Sequence, residues 1–166
     1  MARGIFTAST VLTAAELNDA FSPPRCRLTN SANISLTNNL ATAVTFDTET
    51  HDTGGMHSTS SNTSRITIPT GGSGMYLIGA GIEFAANATG TRDVNLRING
   101  TTIIASSRAT ATSATSATRL MTNTIYPLNA GDYVEIMAFQ NSGGALNITA
   151  ASEYTPIFYA CWLTVL

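Results

Sequence analysis

The chain has 166 residues, a formal net charge of −2 and only 11% charged side chains, against about 25% in an average globular domain. Its eight basic residues are all arginine and, apart from Arg25 and Arg27, lie scattered, so the clustered cations that hold nucleic acid are missing. No apolar run approaches the roughly 18 residues of a membrane-crossing helix, and no basic start leading into an apolar stretch reads as a secretory signal.

Residues 1–24 differ in character from the rest of the chain. Thr13-Ala14-Ala15-Glu16 has the capping-box spacing, in which hydroxyl and carboxylate satisfy each other's backbone donors. It predicts a short helix over 14–20 that stops before Ser22-Pro23-Pro24. Two turns of helix are marginal alone. Ile5, Phe6, Val11, Leu12, Leu17 and Phe21 therefore need a surface to dock on. Either the same domain or a neighbouring protein supplies it, and an intermolecular anchoring arm is the expectation.

From Arg25 to Leu166 the chain reads as a single strand-rich domain. Runs of alternating or β-branched residues predict strands at 26–29, 43–47, 65–68, 75–85, 93–99, 101–106, 120–126, 133–140 and 158–165. Gly, Asn, Ser and Thr fill the connections. Asn99-Gly100 is a strong two-residue hairpin turn. The two period-2 runs of 124–139 flank Ala130-Gly131-Asp132 and read as a second hairpin. The nearly low-complexity segment 105–118 suits an edge strand or a surface loop. Many short strands without helices between them indicate an all-β sandwich or barrel.

The last strand carries a message of its own. Alternation sends Phe158, Ala160 and Trp162 to one face and Tyr159, Cys161 and Leu163 to the other. A strand apolar on both sides is buried on both sides. The core covers one face, and a neighbouring subunit is expected to cover Tyr159, Cys161 and Leu163.

Chemical motifs are weak throughout. Asp52-Thr53-Gly54 matches the aspartic-protease string, but that chemistry needs two carboxylates sharing a proton, and the same residues make a good turn. His51 and His57 match no closed zinc spacing. Gly71-Gly72-Ser73-Gly74 lacks the lysine of a phosphate loop, and Gly79-Ala80-Gly81 lacks the third glycine of a dinucleotide fingerprint. Asp93, Asp132 and Glu135 are oxygen ligands of a type calcium accepts, without a clustered acidic loop. No catalytic, cofactor or metal site is assigned. The five Asn-x-Ser/Thr sequons reflect an Asn- and Thr-rich composition. Cys26 and Cys161 lie near opposite ends of the chain, as a disulfide or as two thiols.

Four stretches together carry a resemblance. They are 67–78, Asn95-Leu96-Arg97-Ile98-Asn99-Gly100, Leu128-x-x-Gly131-Asp132-x-Val134 and Phe158-Tyr159-Ala160-Cys161-Trp162-Leu163. Residues 25–166 resemble the jelly-roll domain shared by tumour necrosis factor and the complement globular head. That resemblance implies a two-sheet antiparallel jelly-roll sandwich, a homotrimer and no catalysis.

Residues 6–18, Pro23-Pro24-Arg25-Cys26-Arg27, 56–69, Asp132-Tyr133-Val134-Glu135 and 140–147 resemble small virion proteins of actinobacterial tailed phages. This similarity implies a bacteriophage structural protein, a minor tail or tail-tip component, with other virion proteins of tail or capsid as partners. A capsid decoration protein that stabilises the shell is the alternative. So is a receptor module that binds a host surface glycan through loops 47–64 and 105–118, although those loops contain no aromatic residue.

Overall fold

The computed structural model describes Val11, Thr13, residues 22–151 and residues 155–166. The expected helix over 14–20 lies outside the described residues, as do Ile5, Phe6, Leu12, Leu17 and Phe21. Val11 is solvent-exposed.

The described residues form twelve strands and no helix. They are β1 (Arg25–Thr29), β2 (Ile34–Leu36), β3 (Thr42–Ala43), β4 (Thr48–Asp52), β5 (Arg65–Thr67) and β6 (Gly74–Phe84), then β7 (Thr91–Ile98), β8 (Thr102–Thr110), β9 (Thr118–Leu128), β10 (Tyr133–Gln140), β11 (Leu146–Ile148) and β12 (Ile157–Thr164). A seven-stranded sheet runs β2-β11-β6-β12-β1-β4, with β9 also paired to β6. A five-stranded sheet runs β3-β10-β7-β8, with β5 also on β10. The ladders are antiparallel, including those of β12 with both β1 and β6. The expected two-sheet antiparallel jelly-roll sandwich is the fold observed.

Period-2 alternation explains why these residues make strands that face this way. Along β9, Thr118, Leu120 and Thr122 are buried while Arg119, Met121 and Asn123 are exposed. Along β12, Phe158, Ala160 and Trp162 point into the sandwich. They meet Leu28, Ile78 and Ile82 of their own sheet and Val94, Leu96, Val134 and Ile136 of the other in one core cluster. Phe46 and Phe158 pack with ring centroids 5.6 Å apart, which pins the sheets together where β12 crosses the core.

Three sequence expectations are corrected. The stretch 43–47 is not one strand. Thr42–Ala43 pairs with β10 in the smaller sheet, and Thr48–Asp52 pairs with β1 in the larger. Between them Val44 and Phe46 are buried while the chain passes from sheet to sheet, so the apolar alternation is real but serves a crossing. The runs around Ala130-Gly131-Asp132 do not form a hairpin either. β9 pairs with β6 and β10 pairs with β7, so the turn carries the chain from one sheet to the other. Turn chemistry fixes a reversal; it does not fix which strands pair. The short β2 and β11, three residues each, pair with one another and are not among the strands expected.

The Asn99-Gly100 hairpin is as expected. Both residues have positive φ, 51° and 73°, as a type I′ turn requires. Segment 105–118 is edge strand up to Thr110 and loop over 111–117, and Thr118 opens β9.

The two turns at this end are tied together. Asn99 Nδ2 donates to Asp132 Oδ1 at 2.8 Å, and Tyr133 N donates to Asn99 Oδ1 at 3.0 Å. Asp132 Oδ2 also accepts from Asn129 N at 2.7 Å. Asp132→Ala leaves two donors to water and is expected to cost about 1 kcal/mol, read as a lower urea midpoint with an unchanged slope. An unchanged midpoint would show that the clasp contributes nothing.

Candidate functional site

The outward face of the seven-stranded sheet is the surface on which the chain departs most from an ordinary exterior. Register places its residues in rows. Met121, Gly81 and Ile157 lie side by side across β9, β6 and β12. The next row is Asn123, Gly79, Tyr159, Arg27 and His51, continuing across β1 and β4. The third is Ile125, Leu77, Cys161 and Arg25. Leu163 comes next along β12.

Two glycines shape this face. A Cβ at Gly79 would lie 2.2 Å from the ring and hydroxyl of Tyr159, so the ring lies directly across Gly79. A Cβ at Gly81 would come within 3.0 Å of Ile157. Glycine in a strand interior marks close approach, and here it lets an aromatic and a branched side chain lie down on β6. The surface between β9 and β12 is consequently apolar and low in relief.

Its outer residues remain open to solvent. Met121 is 60% exposed, Ile125 57% and Leu163 44%. Polar groups border the strip, with Arg25, Arg27 and His51 on the β1–β4 side. At the far end Arg119 pairs with Glu83. The hydrogen bond from Arg119 holds the Glu83 carboxyl below the usual carboxylate range, against the effect of burial. An apolar centre with a polar rim is the anatomy of a protein–protein interface.

Tyr159, Cys161 and Leu163 therefore share one outward face, as the alternation predicts, and the structure adds Leu77, Met121, Ile125 and Ile157 to them. The signal for the added residues is the odd-numbered set of β9 together with two glycines spaced two apart in an apolar run. Cys26 and Cys161 do occupy neighbouring strands, with Cys26 opposite Ala160 and Cys161 opposite Arg25. They face opposite sides of the sheet, and both are free thiols. Burial, reinforced by the charges of Asp52 and Glu49, pushes the Cys26 thiol well above its ordinary range, so it packs as a small apolar group.

The motif residues have other employment. Asp52 accepts backbone N–H groups from Gly54, Met56 and His57 at 2.9–3.1 Å, which makes Asp52-Thr53-Gly54 a loop-closing turn. The His57 ring lies between Glu49 Oε1, 2.9 Å from Nδ1, and Thr63 O, 3.2 Å from Nε2. His51 stands exposed on the rim. Asp93 holds Arg108, and Asp132 holds the two turns. Among the described residues no three His, Cys, Asp or Glu side chains gather as metal ligands.

Glu135 lies 4% exposed on the outward face of the smaller sheet. Its Oε1 accepts from Ser64 Oγ and Arg65 Nε at 3.0 and 3.2 Å, and its Oε2 from Arg97 at 3.0 Å. Burial alone would push this carboxyl up, but hydrogen bonds from Arg97, Ser64 and Arg65 outweigh it and hold it below the usual range.

The fold has known counterparts. The tumour necrosis factor Eiger of S. frugiperda superposes with a TM-score of 0.64 at 12% identity, covering 87% of this chain and 95% of that one. Murine APRIL gives 0.61 at 12% identity, covering 84% and 98%. The globular domain of zebrafish complement 1qA gives 0.57 at 12% identity, covering 86% and 99%. This is the jelly roll of tumour necrosis factor and the complement head. At such identities the likeness is one of fold alone. No family model matches the chain. An uncharacterized protein of Acanthamoeba polyphaga mimivirus is 37% identical over 90 residues, which are 52% of this chain and 37% of that protein. The chain thus spans little more than a third of the viral relative it matches.

Two outcomes test this geometry. Gly79→Ala drives a methyl group into the Tyr159 ring and is expected to destabilise by about 1–3 kcal/mol; adding Tyr159→Ala should recover most of the urea midpoint, whereas equal loss in single and double variants would refute the contact. Glu135 has a depressed folded pKa, so its contribution is complete above the unfolded value of about 4.3 and is lost as pH falls through the folded one. Glu135→Gln should cost about 1.5–3 kcal/mol at neutral pH and flatten the acid limb of stability against pH. An acid limb as steep as in the parent would exclude Glu135 as its source.

Proposed function

We propose that the chain is a non-enzymatic structural protein of a bacteriophage particle. It assembles as a trimeric jelly roll and attaches through the arm of residues 1–24, as a minor tail or tail-tip component. The observation that carries the reading is the apolar outward strip of Leu77, Met121, Ile125, Tyr159, Cys161 and Leu163. A chain with only 11% charged residues has little charge with which to keep such a face and its strand edges apart in solution.

Three lines support the reading. The fold is that of domains the sequence resembles in its own motifs, and that resemblance implies trimers. The match to a mimivirus protein adds a viral context, and within it the tailed-phage assignment rests on the resemblance of residues 6–18 and 56–69 alone. The described acids and His57 are engaged in ion pairs, turns and loop contacts rather than gathered in a catalytic constellation.

A closed threefold ring needs two different surfaces in contact, because an isologous patch gives only twofold pairs. The strip on β6, β9 and β12 supplies one. The β8 edge of the smaller sheet, where Ile103 is 58% exposed, supplies an apolar candidate for the other. In the arm, Ile5, Phe6, Val11, Leu12, Leu17 and Phe21 serve as anchors, and three arms on one trimer multiply a weak attachment by avidity.

Immunogold electron microscopy of purified particles tests the placement. Label confined to one end of the tail is the expected result. Label spread over the shell would make the chain a capsid decoration protein. Particles free of label would remove the virion reading altogether.

A further inference from the structure

The turn between β7 and β8 carries a chemistry of its own. An asparagine followed by glycine is open to attack on its side-chain amide, because glycine puts no side chain in the path of its backbone nitrogen. Asn99 is the one asparagine of the sequence with glycine after it, and it lies exposed at the tip of the turn. The turn is bound to that glycine. Gly100 has a φ of 73°, and a Cβ there would come within 3.0 Å of the Tyr133 hydroxyl.

Both ends of the Asn99 amide are held by the neighbouring turn. Nδ2 donates to Asp132 Oδ1 at 2.8 Å, and Oδ1 accepts from Tyr133 N at 3.0 Å. Asp132 is itself fixed, since its Oδ2 accepts from Asn129 N at 2.7 Å and its backbone N donates to Asn129 O at 3.0 Å. The Asn99 backbone is tied to the same partner, with its N–H on Tyr133 O at 2.9 Å.

This clasp opposes the attack in two ways. Ring closure brings Asn99 Cγ onto Gly100 N and makes it tetrahedral, so the planar amide has to leave its fixed position first. That step gives up a hydrogen bond to a charged group, a bond stronger than an ordinary one. The attacking nitrogen and the oxygen it pushes on also gain negative charge beside the Asp132 carboxylate, and like charges disfavour each other.

We propose that Asn99 is a site of spontaneous deamidation governed by Asp132: the clasp slows the reaction, and the product cannot remake the clasp. Gly100 N gives up its proton and bonds to Asn99 Cγ; the Cγ–Nδ2 bond breaks, and Nδ2 leaves as ammonia carrying a proton in exchange. Water then opens the succinimide at either carbonyl, leaving aspartate or isoaspartate at position 99. Aspartate sets a carboxylate oxygen against Asp132 Oδ1 where a donor stood, and isoaspartate lengthens the turn by one backbone carbon. Either product unties the two turns at the end of the sandwich where β9 finishes and β8 begins. The site draws on neither the apolar strip nor the particle.

Peptide mapping of the full-length protein held at mildly alkaline pH tests the proposal. Trypsin, cutting after Arg97 and Arg108, releases residues 98–108, in which Asn99 is the single side-chain amide, so its conversion is read there by chromatography and mass spectrometry. The folded parent should convert more slowly than the chain unfolded in urea, and Asp132→Ala should convert about tenfold faster than the folded parent. Equal rates in parent and Asp132→Ala, or a folded parent as fast as the unfolded chain, would overturn the proposal. Urea midpoints test the product. Asn99→Asp should lower the midpoint, and adding Asp132→Asn exchanges the two partners, so that an amide donor faces a carboxylate again while Tyr133 N and Asn129 N keep their acceptors. The exchanged pair should recover most of the loss. A midpoint unmoved by Asn99→Asp, or no recovery in the exchanged pair, would overturn it as well.

Discussion

The structure depends on a strand pair that is apolar on both faces. β6 and β12 lie side by side in the larger sheet and send Tyr76, Ile78, Ile82, Phe158 and Ala160 into the core with almost no exposure. The same strands turn Leu77, Ile157, Tyr159, Cys161 and Leu163 outward. The inner set makes the domain; burying a large apolar side chain is worth about 1.5–3 kcal/mol. The outer set is half-buried within the domain except for the exposed Leu163, and a covering surface would bury the remainder. Gly79 and Gly81 connect the two roles, because they let the outer side chains lie flat on the sheet instead of standing up from it.

The few ionic groups are used with corresponding economy. On the smaller sheet Glu135 bridges Arg65 and Arg97, and Asp93 holds Arg108. In the β4–β5 loop Asp52 gathers three backbone N–H groups. Arg92 is fully buried and directs its guanidinium at the carbonyl oxygens of Asn87, Thr89 and Thr91, closing one end of the sandwich. Burial holds its pKa below the ordinary arginine value, and the carbonyl oxygens around it offset part of the cost of placing a cation there. The outward face of the smaller sheet is consequently stitched by charge, while on the larger sheet charge is confined to the rim of the apolar strip.

Much of this is legible in the sequence, and the failures have physical causes. Long strands with clean alternation, β6, β9, β10 and β12, announce themselves, and so do the two faces of β12. The Asn99-Gly100 turn is readable because only a left-handed pair fits a tight hairpin. The strands β2 and β11 are not, since three residues carry no period. The 124–139 reversal imitates a hairpin because pairing partners are chosen by the whole sandwich, not by the turn between two runs. Val44 and Phe46 imitate a strand because a crossing segment also buries every second residue. The Arg65–Glu135 pair is out of reach entirely, for its two members lie 70 positions apart in the chain.

Light scattering of the full-length protein, beside Ile125→Glu and Met121→Glu, tests the central claim that the outward strip is where copies of this chain meet. Both substitutions fall on exposed positions of β9, so the fold should survive them. The account predicts a parent mass three times the 17.3 kDa of one chain, and a single-chain mass with the parent's β-sheet circular dichroism in at least one variant. A monomeric parent, or trimers that persist in both variants, would contradict it.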